Sequence, residues 1–523
     1  MKDYYLKIGK AIDLKNKKEQ LLYRALEVLP AFLSFSTLFL LFFLSFKIPF
    51  WVAVFVILFD LIWLLRVIYR CFLLMSGYKR MERNIKIDWI KKLKKIPLPH
   101  PLLPEVKSWK DIYHLIIFPS YKEPVEILKE SFKALLKTDY PKEKMIVVLA
   151  LEERAGKKAK EIAKEIKKEF GNKFFKFLVT FHPKNLPGEI AGKGANEVFA
   201  TKEAKRKIID PLKIPPENII LSSFDADTCV FPKYFSCLTY YYLKAKNPFR
   251  KSYQPIPLFL NNIWEVPLFS RVFSFSSTFW NTMNQASPEN LVTFSSHSMS
   301  FKTVLEIGHK QKNVVSDDSR IFWNCFLKFN GNYKTQPLYY PVSMDALAAK
   351  SYLQTIKNIY KQQRRWAYGA ENIPYVLFGF LKNKKIPLKK KITAGFDLLE
   401  GFWSWATASL IIFILGWLPL VVGGAQFNQT LLSYNLPRMA RNLMSLAMIG
   451  IVFSAYFTIL LLPKRPKEKG KLKIIAMALE WILVPFIMIF IQPLPALDAQ
   501  LRLAFGKYMG FWPTEKIRKN YSK

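Results

Sequence analysis

Residues 218–231 read NIILSSFDADTCVF. The short apolar run predicts a buried β-strand, and it ends abruptly on two carboxylates, Asp225 and Asp227. Like charges two residues apart repel each other, which predicts that a positive group lies between them. In a mainly parallel α/β sheet, ligands bind beyond the carboxyl ends of the strands. The stretch therefore predicts such a sheet, with a binding site where this strand ends.

Strand-like and helix-like patterns alternate upstream of this stretch. Three further short apolar runs predict strands, and they lie at 114–121, 145–152 and 175–183. Amphipathic runs between them predict helices at 123–138, 157–171 and 195–209. This alternation is typical of βαβ units and a mainly parallel sheet. The fold class predicted is therefore an α/β domain, and its position in the chain follows from the hydropathy.

Long apolar segments flank the α/β region, and one of them, 51–75, is interrupted by Asp60, Arg66 and Arg70. Of the 523 residues, 51% are hydrophobic, and four segments match the roughly 20 apolar residues that cross a bilayer as a helix. They lie at 28–46, 51–75, 401–424 and 443–462. The first is too long for the apolar region of a signal peptide, lacks a cleavage pattern and is followed at once by a second span. The sequence predicts an integral membrane protein.

The charge distribution predicts how the spans are oriented. Lys and Arg crowd 79–95, 381–391 and 463–473, whereas the linkers 47–50 and 425–437 carry far less positive charge. The positive-inside rule then places the N-terminus and the middle domain in the cytoplasm, at the cell membrane. Most of the net charge of +40 follows these membrane flanks, and no nucleic-acid readout motif is present, so a nucleic-acid partner is disfavoured.

A fifth apolar segment, 474–494, complicates the count of spans. It carries Glu480 in its first half and Pro485 and Pro493 further on. An ionisable group inside a bilayer is costly, and proline interrupts a regular helix. We therefore expect 474–506 to be re-entrant or interfacial, with four full spans and a cytoplasmic C-terminus; a fifth span is the alternative.

These observations divide the chain into five parts. They are a two-span membrane region (1–78), a cytoplasmic α/β domain (79–348), interfacial amphipathic helices (349–392), two further spans (393–463) and a re-entrant or interfacial tail (464–523). The four cysteines form no C-x-x-C pair and no zinc spacing, so we expect four reduced thiols in membrane or cytosol.

The carboxylates after the fourth strand predict a metal site. Asp225 and Asp227 offer the hard oxygen ligands that suit Mg²⁺ or Mn²⁺, which complete their coordination with water and substrate phosphates. The alternative is an exposed Asp-Ala-Asp loop or a helix cap. The D-x-D pattern is weak alone, and its context strengthens the metal interpretation.

Three upstream motifs predict donor contacts at neighbouring strand ends. In FPSYKEP (118–124) a proline-bearing turn closes the first strand, and Glu152 and Glu153 end the second. GKGAN (192–196) provides glycines for close backbone approach and a lysine that suits phosphate. A solvated surface lysine is the alternative for that lysine taken alone. The candidate donor-binding residues are Pro119, Tyr121, Glu123, Glu152, Glu153, Lys193, Asn196 and Asp225.

Two downstream motifs add an acid pair and an aromatic-basic group. In SDDSR (316–320), either Asp317 or Asp318 could take a proton from an attacking hydroxyl, and the alternative is a helix N-cap. In QQRRW (362–366), Arg365 could grip a diphosphate while Trp366 offers a flat face on which a sugar stacks. An amphipathic interfacial helix is the alternative for 351–380, and the two interpretations are compatible.

The order of these motifs resembles the membrane-embedded family 2 glycosyltransferases, which include cellulose, hyaluronan and poly-N-acetylglucosamine synthases. The resemblance covers roughly 80–380. Its most specific element is Q-x-x-R-W, formed here by Gln362, Arg365 and Trp366. Downstream, FWPTEK (511–516) is similar to the F-x-V-T-x-K gating loop of cellulose synthases, with Pro513 in place of Val.

The resemblance implies a GT-A fold, a nucleotide-sugar donor, a divalent metal and inversion at the anomeric carbon. By position, it implies that Asp225 and Asp227 hold the metal and that Asp318 is the base. Thr514 and Lys516 would meet the diphosphate. Gln362, Arg365 and Trp366 would bind acceptor and diphosphate, and the acceptor-side segment corresponds to 292–296 followed by His297, which adds Ser296 and His297.

Three of these motifs depart from the family pattern. The acidic pair before Gly is Glu152-Glu153-Arg154 here, the paired-acid motif is Ser316-Asp317-Asp318, and the Phe-Phe-Cys-Gly-Ser segment is Val-Thr-Phe-Ser-Ser. The last difference changes the acceptor pocket, so the sugar is left open.

Three hypotheses on function stay open. The first is a polymerising β-glycosyltransferase that uses a nucleotide-sugar, expected to be a UDP-sugar, and passes its product through its own spans. The second is a single-sugar transferase acting on a lipid-linked acceptor. The third is an inactive pore or scaffold subunit, which the retention of every acid named above disfavours.

Overall fold

A computed structural model describes residues 3–512. Its centre is one mixed, mainly parallel eight-stranded sheet in the order β3-β2-β1-β4-β7-β6-β8-β5. The strands are β1 (Tyr113–Ser120), β2 (Met145–Glu152), β3 (Lys176–His182), β4 (Ile219–Ser223), β5 (Cys229–Val230), β6 (Lys251–Leu258), β7 (Ser298–Ser300) and β8 (Lys334–Ser343). The predicted fold class is confirmed: an α/β domain with a mainly parallel sheet lies between long apolar helices.

The first half of the sheet forms as the alternation predicts. β1, β2, β3 and β4 pair in parallel, so their carboxyl ends share one edge. Their side chains are mostly buried because helices cover both faces. In the second half, β7 runs antiparallel to both β4 and β6, and β6 is therefore parallel to β4.

The helices before and within the sheet domain are numbered in chain order. They are α1 (Lys17–Lys47), α2 (Pro49–Lys86), α3 (Trp89–Leu93), α4 (Val125–Leu136), α5 (Lys157–Phe170), α6 (Lys193–Ala204), α7 (Tyr234–Lys244), α8 (Leu268–Ala286), α9 (Phe301–Glu306) and α10 (Asp317–Lys328). α2 continues without a break across residue 78, the expected domain boundary, so the second apolar helix extends directly to the sheet domain.

The remaining helices follow the sheet. They are α11 (Tyr352–Ala367), α12 (Asn372–Lys382), α13 (Leu388–Phe413), α14 (Leu418–Val422), α15 (Gly424–Asn428), α16 (Leu431–Ala447), α17 (Ile449–Leu461), α18 (Leu472–Leu479), α19 (Val484–Phe486) and α20 (Pro493–Ala504). Short 3₁₀ and π turns join α18 to α20 into one helical run.

Four helical runs are long and apolar enough to cross a membrane. They are Lys17–Lys47, Pro49–Lys86, Leu431–Leu461 and Leu472–Ala504. A fifth, Leu388–Phe413 with Leu415–Val422, is bent by 42° and is either a broken span or a re-entrant loop. Length and composition thus allow four or five crossings among the described residues.

The features that argued against a crossing at 474–494 are accommodated in the structure. Glu480 is buried and accepts two hydrogen bonds from the buried Arg271, at 2.6 and 2.9 Å. Pro485 and Pro493 lie in the first turns of α19 and α20, where the missing N–H costs little. Hydropathy therefore does not decide the path of this segment, and the re-entrant or interfacial path stays a prediction.

The four cysteines are free thiols, as the sequence predicts. Cys237 and Cys325 are buried in the sheet domain, where burial raises the pKa of each thiol.

Candidate active site

The predicted motifs converge at the carboxyl edge of β1, β2 and β4, and we call the partly exposed region around Asp225 and Asp318 the cleft. The Asp225 turn follows β4, GKGAN opens α6, and SDDSR opens α10. Phe511 lies against both Gly192 of GKGAN and Arg365 of α11, the helix that carries QQRRW. The parallel strands explain this convergence, since their ends meet at one edge.

A lysine lies between the two most exposed carboxylates of the cleft. Lys193 Nζ donates to Asp225 Oδ1 at 2.6 Å and to Asp318 Oδ2 at 3.0 Å. The other oxygen of Asp225 accepts from the Ser295 hydroxyl at 2.7 Å. GKGAN therefore supplies a positive group to Asp225 and Asp318, and a cation between Asp225 and Asp227 stays a prediction.

A second, deeper lysine completes the ion-pair cluster. Lys310 Nζ lies 3.0 Å from Asp318 Oδ1, 2.5 Å from Glu197 Oε2 and 3.6 Å from Asp317 Oδ2. Its side chain is 5% exposed and that of Glu197 is 4% exposed. Glu197 also accepts from the Ser223 hydroxyl at the end of β4. Buried charges persist only when they are paired in this way.

The cluster sets the ionisation of the acid pair. For Asp318, burial opposes ionisation, but Lys193 and Lys310 outweigh it and hold its pKa well below the usual carboxyl range. For Asp317, burial and the neighbouring charge of Asp318 raise the pKa. For Lys193, burial would lower the pKa, yet the carboxylates around it raise it well above the usual value. Asp318 is thus the ionised member of the pair.

Asp317 and Asp318 also differ in exposure, and this difference again favours Asp318 as the base. The side chain of Asp318 is 23% exposed, whereas that of Asp317 is 6% exposed. Asp317 packs against Gly194, where a Cβ would lie only 3.0 Å from the Asp317 Cβ. This close contact is one reason why GKGAN needs its second glycine, and it leaves Asp318 as the acid that faces the cleft.

The start of α10 is held by a residue that follows QQRRW. Glu371 Oε1 accepts from the backbone N–H groups of Val315 and Ser316, at 2.9 and 2.7 Å, and from the Ser316 hydroxyl. Ser316 occupies the N-cap position, but its side chain makes no capping bond. Ser316 therefore occupies the N-cap position without capping the helix, and its hydroxyl instead joins the start of α10 to the 3₁₀ turn between α11 and α12.

The two DAD carboxylates differ in their surroundings. The Asp225 side chain is 28% exposed. Asp227 is fully buried, and its Oδ2 accepts the backbone N–H of Asp345 at 2.7 Å. Within residues 3–512, no group of three or more His, Cys, Asp or Glu forms a metal-binding cluster. The donor chemistry of two carboxylates fits a hard divalent cation, with Asp225 as the accessible ligand.

The donor-side residues of the first two strands make contacts with each other. Glu123 accepts from the Ser120 hydroxyl and the Tyr121 N–H, at 2.8 and 2.7 Å, which closes the turn after β1. Glu152 is buried and pairs with Arg154, whose guanidinium lies 4.1 Å from the Tyr121 ring centroid. Of the other two predicted donor-side residues, Pro119 lies within β1 opposite Ala150, and Glu153 is exposed.

Three residues expected to touch substrate are fully buried. Asn196 donates to the Ala150 carbonyl at 2.7 Å and so joins α6 to β2. Ser296 contacts the Thr228 hydroxyl at 3.1 Å. His297 lies 3.8 Å from Asp318, and burial, with the charge of Lys310, lowers its pKa to about 3. In this structure these three side chains are packed inside the domain.

The Q-x-x-R-W motif and the beginning of FWPTEK meet over the cleft. The Arg365 guanidinium lies 4.9 Å from the Phe511 ring centroid, and Lys361 lies 5.0 Å from that of Trp512. A Cβ on Gly192 would come within 2.6 Å of Phe511. Gln362 and Trp366 are half-buried on α11. Thr514 and Lys516 lie outside the described residues.

Arg365 is electrostatically part of the ion-pair cluster. Burial lowers the pKa of its guanidinium, and the carboxylates of Asp225, Asp317 and Asp318 oppose that shift. Three cations, Lys193, Lys310 and Arg365, therefore face the carboxylates of the cleft.

Sequence reasoning missed four residues that shape this cleft: Glu197, Ser295, Lys310 and Glu371. Glu197 follows Lys193 by four residues on one helix, a spacing that could have been read as an ion pair. Ser295 lies in the acceptor-side segment 292–296, from which the sequence analysis names only Ser296. Lys310 and Glu371 carry no motif, and only the fold brings them to the acid pair.

Comparisons with known proteins found matches only among solved structures. The sequence matches no protein-family profile and no curated protein. The mannosyltransferase PcManGT from Pyrobaculum calidifontis, in complex with GDP-Man and Mn²⁺, matches with a TM-score of 0.37 and 15% identity, over 75% of this chain and 99% of that one. Residues 1–349 of TarS from S. aureus, in complex with UDP-GlcNAc, match with a TM-score of 0.37 and 11% identity, over 76% of this chain and 93% of that one. Because these TM-scores and identities are low, the proposal that follows rests on the cleft itself.

Proposed function

We propose that the chain is an inverting membrane glycosyltransferase that moves a sugar from a nucleotide-sugar, a UDP-sugar by preference, to the growing end of a β-linked polysaccharide. The observation that carries the proposal is the Lys193 bridge between Asp225 and Asp318. It joins a carboxylate suited to metal and phosphate to a carboxylate suited to proton removal, within one cleft. Transfer from a nucleotide-sugar requires these two functions side by side.

On the donor side, cations balance the charge of the leaving diphosphate. Asp225 and Asp227 would hold Mg²⁺ or Mn²⁺, which supplies Lewis-acid stabilisation of the departing oxygen. Lys193 is placed to exchange its bond with Asp225 for one with phosphate, and Arg365 adds a fixed planar cation. Phe511 and Trp512 would cover the donor and keep water away from the anomeric carbon.

On the acceptor side, Asp318 takes the proton. The acceptor hydroxyl oxygen forms the new bond to the anomeric carbon while the bond to the diphosphate breaks, and the hydroxyl proton passes to the carboxylate. Asp318 suits this role because Lys193 and Lys310 keep it ionised and because its side chain faces the cleft. Trp366 and Gln362 lie on the adjacent helix, where they would orient the acceptor sugar.

The location of the cleft supports an acceptor at the membrane. α11 is paired with the helical run Leu472–Ala504 through Arg364 and Asp498, and basic residues crowd the sheet-domain ends of the apolar runs. The positive-inside rule favours a cytoplasmic cleft in the cell membrane, with membrane lipids around the spans. A growing polymer or a lipid-linked acceptor could both reach such a cleft, and export through the spans would follow for the polymer.

The test is a donor screen with the full chain in detergent. Nucleotide-sugars that differ in base and sugar are supplied with Mg²⁺, Mn²⁺ or EDTA, and both released nucleotide and product length are measured. Asp318→Asn is the matched control, because it changes one oxygen at the expected base. We expect release from one UDP-sugar that needs metal and is lost in the control.

Product length then separates the hypotheses. A ladder of products supports the polymerase, and a single addition to an added lipid acceptor supports the single-sugar transferase. Absence of turnover with every donor, with the protein folded and donor bound, would contradict the proposal and favour the inactive subunit.

A further inference from the structure

A second cavity lies on the opposite edge of the sheet from the cleft. Its volume is about 590 Å³, and it is enclosed by the C-terminal end of α2, by α3 and α7, and by the first residues of β6 and β8. We call it the α2–α7 cavity. β6 and β4 run parallel, so Lys251 at the start of β6 lies at the amino edge of the sheet, whereas Asp225 lies at the carboxyl edge. A strand of eight residues spans roughly 26 Å, which separates the two sites.

All the charged residues that line this cavity are positive. Arg83, Lys92, Lys244 and Lys251 line it, and no Asp or Glu does. Among the described residues, none of these four cations has a carboxylate oxygen within 4.0 Å, although the chain forms many such pairs elsewhere. Four unneutralised cations around one concave space concentrate positive potential there and attract anions.

The wall of the cavity is aromatic and firmly held. Trp89 packs against Tyr240 and Tyr241, with ring centroids 5.2 and 5.7 Å apart. The Trp89 indole donates to the Asn84 carbonyl at 3.0 Å, and Asn84 in turn donates to the Leu338 carbonyl of β8. The site is therefore a preformed pocket fixed to the sheet. Its volume lies within the range of about 300–1,000 Å³ that is usual for small-molecule sites.

The position of the cavity links it to the membrane helix. The apolar part of α2 ends near residue 75, and Arg83 lies eight residues further on, about 12 Å along the helix axis. Lys244 is the last residue of α7 in the sheet domain. A ligand bound between them would contact both the second apolar helix and the sheet domain.

We propose that the α2–α7 cavity binds a phosphate-bearing ligand carrying at least two negative charges. The Arg83 guanidinium and the lysine ammonium groups recognise the phosphate oxygens, and Tyr240 and Tyr241 form the adjoining ring surface. This binding is independent of the transferase proposal, since no residue of the cleft takes part. The same phosphate chemistry is offered by a soluble phosphorylated metabolite and by an anionic lipid headgroup.

The test compares two triple variants of the full chain in phosphatidylcholine nanodiscs. The cavity variant is Arg83→Gln/Lys92→Gln/Lys244→Gln, and the control is Lys91→Gln/Lys94→Gln/Lys95→Gln. The control removes the same charge from exposed neighbours that do not line the cavity. Inorganic pyrophosphate is titrated calorimetrically in EDTA, so that metal-dependent binding in the cleft is suppressed. Unfolding temperatures confirm that both variants fold.

We expect wild type and control to bind pyrophosphate with affinities within about twofold of each other. The cavity variant should bind at least tenfold more weakly, a loss of about 1.4 kcal/mol. Equal affinity in all three proteins, or equal loss in both variants, would overturn the proposal.

A second arm identifies the source of the phosphate. The same titration is repeated in nanodiscs of phosphatidylglycerol. Weaker pyrophosphate binding there, in wild type and control alone, supports occupation by a lipid headgroup. Unchanged affinity supports a soluble ligand.

Discussion

Replacing Lys310 by Met should change the pH dependence of the enzyme and leave the chemistry in place. Lys310 Nζ lies 3.0 Å from Asp318 Oδ1, and its side chain is 5% exposed. An opposite charge at such a distance lowers the pKa of an acid by about 1–3 units. Without Lys310 the pKa of Asp318 should rise by a similar amount, with the Lys193 bond remaining.

The sign of the effect on activity follows from the role of Asp318 as a base. A base works only when it is ionised, so activity is lost as pH falls through its pKa. In wild type that pKa lies well below the usual carboxyl range, and the acid limb of kcat/KM should lie at correspondingly low pH. In Lys310→Met the limb should move up by about 1–3 pH units, whereas activity near pH 8 should fall less than tenfold.

Two companion variants keep this experiment interpretable. Loss of Lys310 leaves the buried Glu197 with only the more distant Lys193, at 3.8 Å, which costs up to about 3–5 kcal/mol and could unfold the protein. The double variant Lys310→Met/Glu197→Gln removes that charge and should retain the shifted limb at higher stability. Lys312→Met is the matched control, because this lysine is 37% exposed and pairs with Glu189 rather than with the acid pair. An acid limb that stays at its wild-type pH in both Lys310 variants would refute the role assigned to Lys310.

The other predictions concern the motifs. Asp318→Asn should reduce turnover by about 10²–10⁴-fold with nucleotide-sugar binding retained, and Asp317→Asn should reduce it less; the reverse order would make Asp317 the base. Asp227→Asn should abolish transfer in a folded, membrane-inserted protein, whereas metal-dependent activity within a few-fold of wild type would end the metal assignment. Trp366→Ala should impair acceptor use more than donor binding, and normal polymer yield with poor insertion would instead indicate an interfacial anchor. A cysteine introduced at Lys523 should be shielded from an impermeant thiol reagent in intact cells; labelling would place the C-terminus outside and remove the lid assignment.

The first half of the fold was predictable because its strands are long and doubly covered. β1 and β2 each bury nearly every residue, which gives uninterrupted apolar runs that a sequence shows directly. The strands of the second half are not apparent from the sequence. β7 has three residues, and β6 contains Pro255 and Pro257 with a register shift between Gln254 and Ile256. Short or proline-bearing strands have too few alternating positions for periodicity to reveal them.

The site residues show the same contrast between what the sequence reveals and what only the fold reveals. Asp225 and Asp318 stand out because each interrupts or precedes an apolar element, where a charge has no reason to be. Lys310 does not stand out, since it lies in HKQK and the chain has 79 Lys and Arg residues. What marks Lys310 as different is burial, and burial depends on the tertiary packing around it, which no local pattern shows. The partners of an acid are thus harder to predict than the acid itself.

The contacts of the apolar helices bear on the number of crossings. The bent pair reaches the far end of the first hairpin: Gly416 contacts Val56, and Gly423 contacts Pro49 at the turn between α1 and α2. The returning run follows α2 back, with Gly450 against Val67 and Phe457 against Tyr78. These contacts favour one crossing outward by the bent pair and one crossing back by Leu431–Leu461.

The last helical run behaves differently, because both of its ends contact the side that holds the cleft. Glu480 pairs with Arg271 of α8, and Asp498 pairs with Arg364 of α11 at 2.8 Å. Near its end, the Leu503 carbonyl accepts from Arg24 in the first turns of α1. A straight crossing would separate the two ends by the thickness of a bilayer, about 30 Å, and would carry the second end away from these partners.

Phe511, seven residues beyond α20, lies against Gly192 and Arg365 of the cleft. These contacts favour an even number of crossings between the sheet domain and Phe511. With the bent pair and Leu431–Leu461 as those two crossings, we expect four spans, a re-entrant or interfacial 474–506, and a lid on the same side of the membrane as the acids it would cover.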